Sequence, residues 1–316
     1  MSVELITYEA AIGRMSWAGA VEALRAGHMM PKAEVADMVL GPADAALLSR
    51  GAFIAGLGYG AKSVTILDRN AARGLPTVQG AMLVFEPEGG RLAAIIEGRL
   101  VTELKTAADS VLGAACLARR DSAHLLVVGA GTVARTIIPA YRALFSGLRR
   151  VSVWARRPEQ AEALAGELTD AAAPVVAVPD LAAAAAEADI ITSATMAREP
   201  LLRGSWIRSG THVDLIGAYK ADMREADDAL IAGGSLFVDS RETTIAHIGE
   251  LAIPIATGAL RADAVRGDLY DLVQGRDGRA SDAEVTVYKN GGGAHLDLMI
   301  GCYISNRMAV GSTGGL

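Results

Sequence analysis

A chain of 316 residues with a net charge of −6, 51% hydrophobic and 21% charged residues has the composition of a folded globular protein, not a disordered one. The charge balance is acidic and no basic block interrupts it, which argues against a nucleic-acid partner. No apolar run reaches the roughly 18 residues that a membrane span needs. The cysteines Cys116 and Cys302 are far apart and no Cys/His cluster has ligand spacing, so neither a membrane anchor, a disulfide framework nor a metal is expected.

The opening MSVELITYEAAIGRM lacks a basic-then-apolar leader pattern, and a cytoplasmic location is expected. The stretch TYEAAIGRMSWAGAVEALRAG has helical spacing, with Ile12, Met15, Ala18, Val21 and Leu24 near one stripe, and predicts one helix. GAFIAGLGYGAKSVTIL reads as strands broken by glycines. GAMLVFEPEGGRLAAIIEG reads as a hairpin turning over Glu86 to Gly90. LVTELKTAADSVLGAACLARR reads as a helix that Thr102 caps.

From Ser122 the rhythm changes. Short apolar runs (AHLLVVGAG, RRVSVWAR, APVVAV, DIITSAT, THVDLIGA, GSLFVDS) alternate with helical ones, the pattern of an α/β fold: a Rossmann-type, doubly wound parallel sheet. A late strand, EVTVYK, precedes the glycine cluster Gly291 to Gly293 and an apolar helix that returns to pack on the N-terminal part. The expected organisation is therefore a discontinuous, smaller α+β domain, 1–120 plus about 296–316, around a dinucleotide-binding domain, 121–295.

The segment VVGAGTVA places Gly129, Gly131 and Ala134 in a G-x-G-x-x-A pattern between a strand and a helix. The first glycine permits the turn. The second lets the backbone approach a pyrophosphate, and the alanine lets the helix pack on the sheet. The helix start at Thr132 and Val133 offers its free N–H groups to phosphate. The second strand runs into Ala155, Arg156 and Arg157, where an NAD-binding domain would carry an acid for the ribose hydroxyl. Two guanidiniums there suit a 2′-phosphate, hence NADP in preference to NAD. Thr195 ends the strand DIITSAT, and Asn290 with Gly291 opens the late glycine loop; both are cofactor-contact candidates, the loop serving otherwise as a plain crossover.

Two lysines precede the glycine loop. Lys62 stands in an apolar, strand-like setting, where an ammonium needs water or an anion. Lys105 stands in the first turns of a helix, where a cation opposes the macrodipole. His247 and His295 read as surface or core histidines.

The segments ARGLPTVQG, TELKTAADSVLGAACLAR, VVGAGTVAR, GTHVDLIGAYKADMREAD and VDSRE, in that order, resemble the ornithine cyclodeaminase/mu-crystallin family. The resemblance implies a Rossmann domain and a homodimerisation and substrate domain. It implies an NAD(P)-dependent oxidoreductase acting on C–N or C=N bonds, and a small imine or amino acid as substrate. It makes Lys62 the lysine that touches the substrate carboxylate, with a catalytic role, and Thr77 a site threonine. Lys105 stands where the cyclodeaminases carry arginine, a point charge in place of a two-pronged grip. The upstream P-x-R arginine has no clean counterpart beyond Lys32. The cyclodeaminase aspartate is replaced by Tyr219, and Asp222, three residues on, is the candidate that orients or protonates the substrate nitrogen; otherwise it caps the next helix. The implied activity is NADPH-dependent reduction of a cyclic imine α-carboxylate such as Δ1-pyrroline-2-carboxylate. The alternatives are an ornithine cyclodeaminase or NAD-dependent amino-acid dehydrogenase, and a mu-crystallin-like protein that binds NADPH and a small ligand without turnover.

Overall fold

The computed structural model describes residues 5–42, 44–170 and 173–312. Backbone contacts divide the chain into two units, Met1–Ala108 with Gly293–Leu316, and Asp109–Gly292.

The first unit contains β1 (Leu5–Ile6), α1 (Tyr8–Ala11), α2 (Trp17–His28), β2 (Glu34–Leu40), β3 (Ala45–Ile54), β4 (Gly58–Leu67), β5 (Val78–Phe85) and β6 (Leu92–Glu97). The strands form one sheet in the order β1-β6-β5-β4-β3-β2, antiparallel except for the β1–β6 edge. The predicted first helix is broken: a 3-10 turn over Ile12–Arg14 ends at an extended Met15, and the Ser16 hydroxyl accepts the Gly19 N–H at 3.1 Å to cap α2. A side-chain cap inside an apolar stripe overrides its periodicity.

Next comes α3 (Gly98–Leu117), within which the division between the units falls. It starts four residues before Thr102, so Thr102 is not its cap, and Lys105 sits beyond the second turn. The argument from the helix dipole therefore does not apply to Lys105, because that effect fades within the first turn.

The second unit runs β7 (His124–Val128), α4 (Thr132–Leu144), β8 (Arg150–Trp154), α5 (Pro158–Leu168), β9 (Val175–Ala177), α6 (Leu181–Glu187), β10 (Ile190–Ser193) and β11 (His212–Leu215). It continues with α7 (Asp228–Gly233), β12 (Ser235–Val238), α8 (Arg241–Thr244), α9 (Gly249–Thr257), β13 (Val265–Gly267), α10 (Leu269–Val273) and β14 (Thr286–Lys289). Its eight strands are parallel, in the order β13-β12-β14-β11-β10-β7-β8-β9. This is the doubly wound α/β sheet expected, with Leu126, Val128, Ile191, Val213, Leu215 and Val287 in its core. The order reverses between β7 and β10, whose last residues Val128 and Ser193 are paired. Ligands of such sheets bind at that switch point, outside the carboxyl ends of the strands.

The chain ends in α11 (Ala294–Ser312), which packs on α2, β3, β4 and β5 of the first unit. Gly60 on β4 admits it: a Cβ there would lie 2.7 Å from Met82 Cε and 3.0 Å from Leu298 Cδ1.

Candidate active site

The glycine loop leaves β7 at the switch point. Gly129 has φ +114°, and a Cβ on it would lie 2.6 Å from the Ala194 carbonyl, so the turn needs glycine. Its N–H donates to the Trp154 carbonyl at 2.8 Å, tying the loop to the end of β8. Gly131 is different. Its φ of −87° suits any residue, it caps α4 without a side chain, and a Cβ there would meet nothing within 4 Å. That open space, in front of the free N–H groups of Thr132 and Val133, is what a pyrophosphate requires. Ala134 is fully buried, as close packing of α4 demands. Beyond β8, Ala155 is buried while Arg156 and Arg157 are exposed, and among the described residues neither guanidinium has a hydrogen-bond or ion-pair partner. The residues present therefore fit a dinucleotide.

The loops beside it are organised by a residue that the motifs did not point to. Glu225 is fully buried. Its Oε1 accepts the Ser193 hydroxyl at 2.6 Å and the Thr195 N–H and hydroxyl, each at 2.8 Å. Its Oε2 accepts the N–H groups of Gly217 at 2.5 Å and Ala218 at 3.3 Å. One carboxylate thus binds the loops after β10 and β11 together. Thr195 stands where expected, but both of its donors are spent on Glu225. Glu250 supports this arrangement by accepting the N–H groups of Glu225 and Ala226 at 2.9 Å. Burial pushes the Glu250 carboxyl up to about 7.

The late glycine loop is held from within its own unit. Asp239 Oδ2 accepts the N–H groups of Gly291 at 3.0 Å and Gly292 at 2.5 Å. The Asn290 amide donates to Ser110 Oγ at 2.9 Å, and Ser110 donates to Asp214 Oδ1 at 3.0 Å. A Cβ on Gly291 would lie 2.3 Å from Thr244 Oγ1. One Asn290 amide N–H and the Gly291 N–H therefore serve internal hydrogen bonds, and Gly291 is glycine because of packing against α8. Beneath the loop, the fully buried Lys289 donates to the Leu215 and Asn290 carbonyls at 2.8 Å.

Asp222 is not a helix cap. Asp227 caps α7, accepting the Leu230 N–H at 2.8 Å. Asp222 is 61% exposed and takes a hydrogen bond from Arg198 Nε at 2.8 Å. That guanidinium holds its carboxyl below the usual carboxylate range.

In the first unit, Gly58, Gly60, Lys62 and Val64 are the buried positions of β4, so Lys62 points at the core face. Its ammonium donates to Asp297 Oδ1 on α11 at 2.5 Å, and Thr102 Oγ1 lies at 3.5 Å. Both members of the pair are buried, at 5% and 1% exposure. The anion that Lys62 needs is thus protein-borne, 235 residues away in sequence. Lys105 is the contrasting case. It is 7% exposed and, among the described residues, has no hydrogen bond and no ion pair. A buried ammonium without an anion is a place for one. Thr77 lies half-buried just before β5, with no side-chain hydrogen bond among the described residues, while Lys32 is exposed. On β3, Arg50 is the cross-strand neighbour of Lys62 and is occupied by Asp37, donating through Nε at 3.1 Å and Nη2 at 2.6 Å.

Residues 29–312 match the model of the ornithine cyclodeaminase/mu-crystallin family. The chain belongs to that family. Within it, the chain is 62% identical over 307 residues, 97% of each chain, to a Delta(1)-pyrroline-2-carboxylate reductase of Paracoccus denitrificans. Among solved structures, it is similar to the Thermococcus litoralis Delta(1)-pyrroline-2-carboxylate reductase in complex with NADH and L-proline. The TM-score is 0.91, at 26% identity over 98% of both chains. It is likewise similar to an archaeal alanine dehydrogenase dimer with bound NAD, at TM-score 0.90 and 26% identity over 100% and 98%. A nicotinamide dinucleotide is accordingly the cofactor of the ornithine cyclodeaminase/mu-crystallin fold found here.

Proposed function

We propose that the protein reduces Δ1-pyrroline-2-carboxylate, or a ketimine close to it, to the cyclic amino acid, with NADPH as the reductant. The protein is an NAD(P)-dependent oxidoreductase of C=N bonds. The observation that carries the narrower reading is the 62% identity, over 97% of each chain, to a protein named for that activity.

The residues support it. The ammonium of Lys105 offers the substrate carboxylate a buried, uncompensated positive charge. Lys62 adds hydrogen-bond donors, with its own charge balanced by Asp297. Thr77 is a further polar candidate beside the sheet. The loop at Gly129 and Gly131 and the start of α4 receive the pyrophosphate, and Arg156 with Arg157 receives a 2′-phosphate. When bound, the dinucleotide would supply hydride to the imine carbon, and the nitrogen would take its proton from water. The relatives in complex with NADH and NAD favour a second reading for the cofactor alone, the unphosphorylated dinucleotide.

We infer further that two copies associate. All seven residues of β2 are exposed, among them Val35, Met38, Val39 and Leu40, the last two at 64% and 54%. An apolar edge strand left open is an association surface. A location in the cytoplasm remains the expectation; among the described residues no helix is long and apolar enough to cross a membrane.

The test is steady-state reduction of Δ1-pyrroline-2-carboxylate, its six-membered homologue and, in reverse, proline, ornithine and alanine, each with both dinucleotides. The expected result is rapid oxidation of NADPH by the five-membered imine. Lys105→Met should raise KM for the imine by about 100-fold or more, as loss of a charge-assisted contact predicts, with dinucleotide affinity unchanged. Tight NADPH binding without turnover of any imine would instead make the protein a binder.

A further inference from the structure

Lys62, proposed above as a contact of the substrate carboxylate, lies on the core face of a sheet, where an ammonium is costly to keep charged. Its surroundings oppose the charge. Gly58, Gly60 and Val64 flank it on β4, and Met82 of β5 and Arg50 of β3 are its cross-strand neighbours. Lys105 on α3 and Arg50 add positive charge around it, and burial lowers its affinity for a proton. His295 on α11 and His28 on α2 bring no anion: their rings meet edge to face at 5.6 Å, and His295 is held well below its ordinary value by burial and by neighbouring cations. The acids on the other elements are engaged elsewhere. Asp37 on β2 holds Arg50, Glu97 on β6 accepts the Tyr8 N–H, and Glu103 on α3 holds Arg99 and the Tyr8 hydroxyl.

Against these stands one carboxylate. Asp297, in the first turn of α11, places Oδ1 2.5 Å from Lys62 Nζ. Its Oδ2 is buried and accepts no hydrogen bond among the described residues. The charge of Asp297 is thus committed to Lys62, and the close approach of α11 to β4 at Gly60 sets the distance.

We propose that Asp297 is a positioning residue of the substrate site: through its contact with Lys62 it keeps that side chain an ammonium and directs its remaining N–H groups, and it thereby sets the upper pH limit of substrate carboxylate binding. The proposal rests on the reading of Lys62 as a substrate contact and is new in assigning the C-terminal helix a part in it. The sign follows from the contact. Removing the anion leaves the ammonium beside Lys105 and Arg50 alone, so it loses its proton at lower pH.

The experiment measures binding of pyrrole-2-carboxylate, a planar acid whose ring nitrogen does not titrate in this range, to the protein with bound dinucleotide from pH 6 to 10 on the order of the lysine range. In the Asp297→Asn variant the pH at which affinity falls by half should move down by about one unit or more, dinucleotide affinity should stay within about twofold of wild type, and Asp297→Glu should bring the limit back toward wild type. An unmoved limit in a folded Asp297→Asn protein overturns the proposal. Should that variant not fold, the wild type decides by titration of 15N-labelled lysine side chains: Lys62 still charged at pH 8 supports it, and Lys62 neutral at pH 7 refutes it. If wild type neither binds the acid nor reduces the imine, the functional reading fails instead, and the lysine titration still reports on the pair.

Discussion

The two glycines of the nucleotide loop should respond in opposite ways to the same added methyl group. At Gly129 the backbone is at φ +114°, and the new Cβ would sit 2.6 Å from a main-chain carbonyl, that of Ala194. Holding a non-glycine residue there costs about 1–3 kcal/mol, and crowding a backbone oxygen adds about 1–3 kcal/mol. Gly129→Ala should therefore destabilise the fold by several kcal/mol, a fall of roughly 6 °C or more in Tm for a chain of this class. At Gly131 the φ is −87° and the methyl meets open space. A slightly poorer helix cap is offset by a less flexible unfolded chain, so Gly131→Ala should change stability by about 0.5 kcal/mol or less. It nevertheless occupies the space a pyrophosphate needs, and dinucleotide affinity should fall at least about tenfold, or 1.4 kcal/mol. Thermal melts without ligand and titration by reduced-nicotinamide fluorescence separate the two effects. If Gly131→Ala melts as early as Gly129→Ala, or binds the dinucleotide as wild type does, the assignment of the open space above α4 is wrong.

Three further outcomes follow from the same structure. Arg156→Ala with Arg157→Ala should lower the ratio of kcat/KM for NADPH to that for NADH by about 30-fold, exposed guanidiniums contributing near 1 kcal/mol each to a phosphate; an unchanged ratio would mean the arginines do not meet a 2′-phosphate. Burial raises the Asp214 carboxyl from 3.8 to about 7 and that of Glu250 from 4.5 to about 7, so each binds its proton more tightly in the folded state and its contribution is lost as pH rises from about 4 to 7. Asp214→Asn, which still accepts from Thr192 and donates to Ser110, should flatten the fall in denaturant stability between pH 5 and 8 by a few kcal/mol; an unaltered slope would show that Asp214 is ionised in the native protein. Replacing Val39 and Leu40 on β2 by lysine should convert a dimer to a monomer in sedimentation at micromolar concentration, and no change in mass would place the interface elsewhere.

The second unit was legible where each element buries itself. The run His124–Val128 is buried at every residue, as is Ile190–Ser193, and such runs, alternating with helices of 13, 11 and 7 residues, are the direct imprint of a parallel sheet. Elements that bury little left no such imprint. The seven residues of β2 are all exposed, so they lack the alternation that marks a strand. β1 and β13 have two and three residues, and α7 to α10 have four to nine residues apart from any long apolar stripe. The glycine loop could be read because its requirement is steric and local. The partner of Lys62 could not, because β4 and α11 meet only through the fold of the whole first unit. Within the segment DMREAD the family resemblance drew attention to one acid. Asp222 sits on the surface with Arg198, whereas Glu225, three residues on, gathers the loops at the sheet's carboxyl edge. Nothing in the spacing distinguishes the two; burial does.

The charge balance of the first unit bears on the substrate. Lys62 is matched by Asp297 and Arg50 by Asp37, each at hydrogen-bond distance, while Lys105 has no counter-ion among the described residues. One buried positive charge is thus left over. A ligand with one carboxylate neutralises it, whereas a second carboxylate would have to draw Arg50 from Asp37 or Lys62 from Asp297. Breaking the buried Lys62–Asp297 pair by taking one partner away costs about 3–5 kcal/mol, whereas the partly exposed Arg50–Asp37 pair costs far less to open. On the reading of Lys105 as the carboxylate contact, a lysine suffices at position 105 because a single charge, not a forked grip, is what remains to be satisfied.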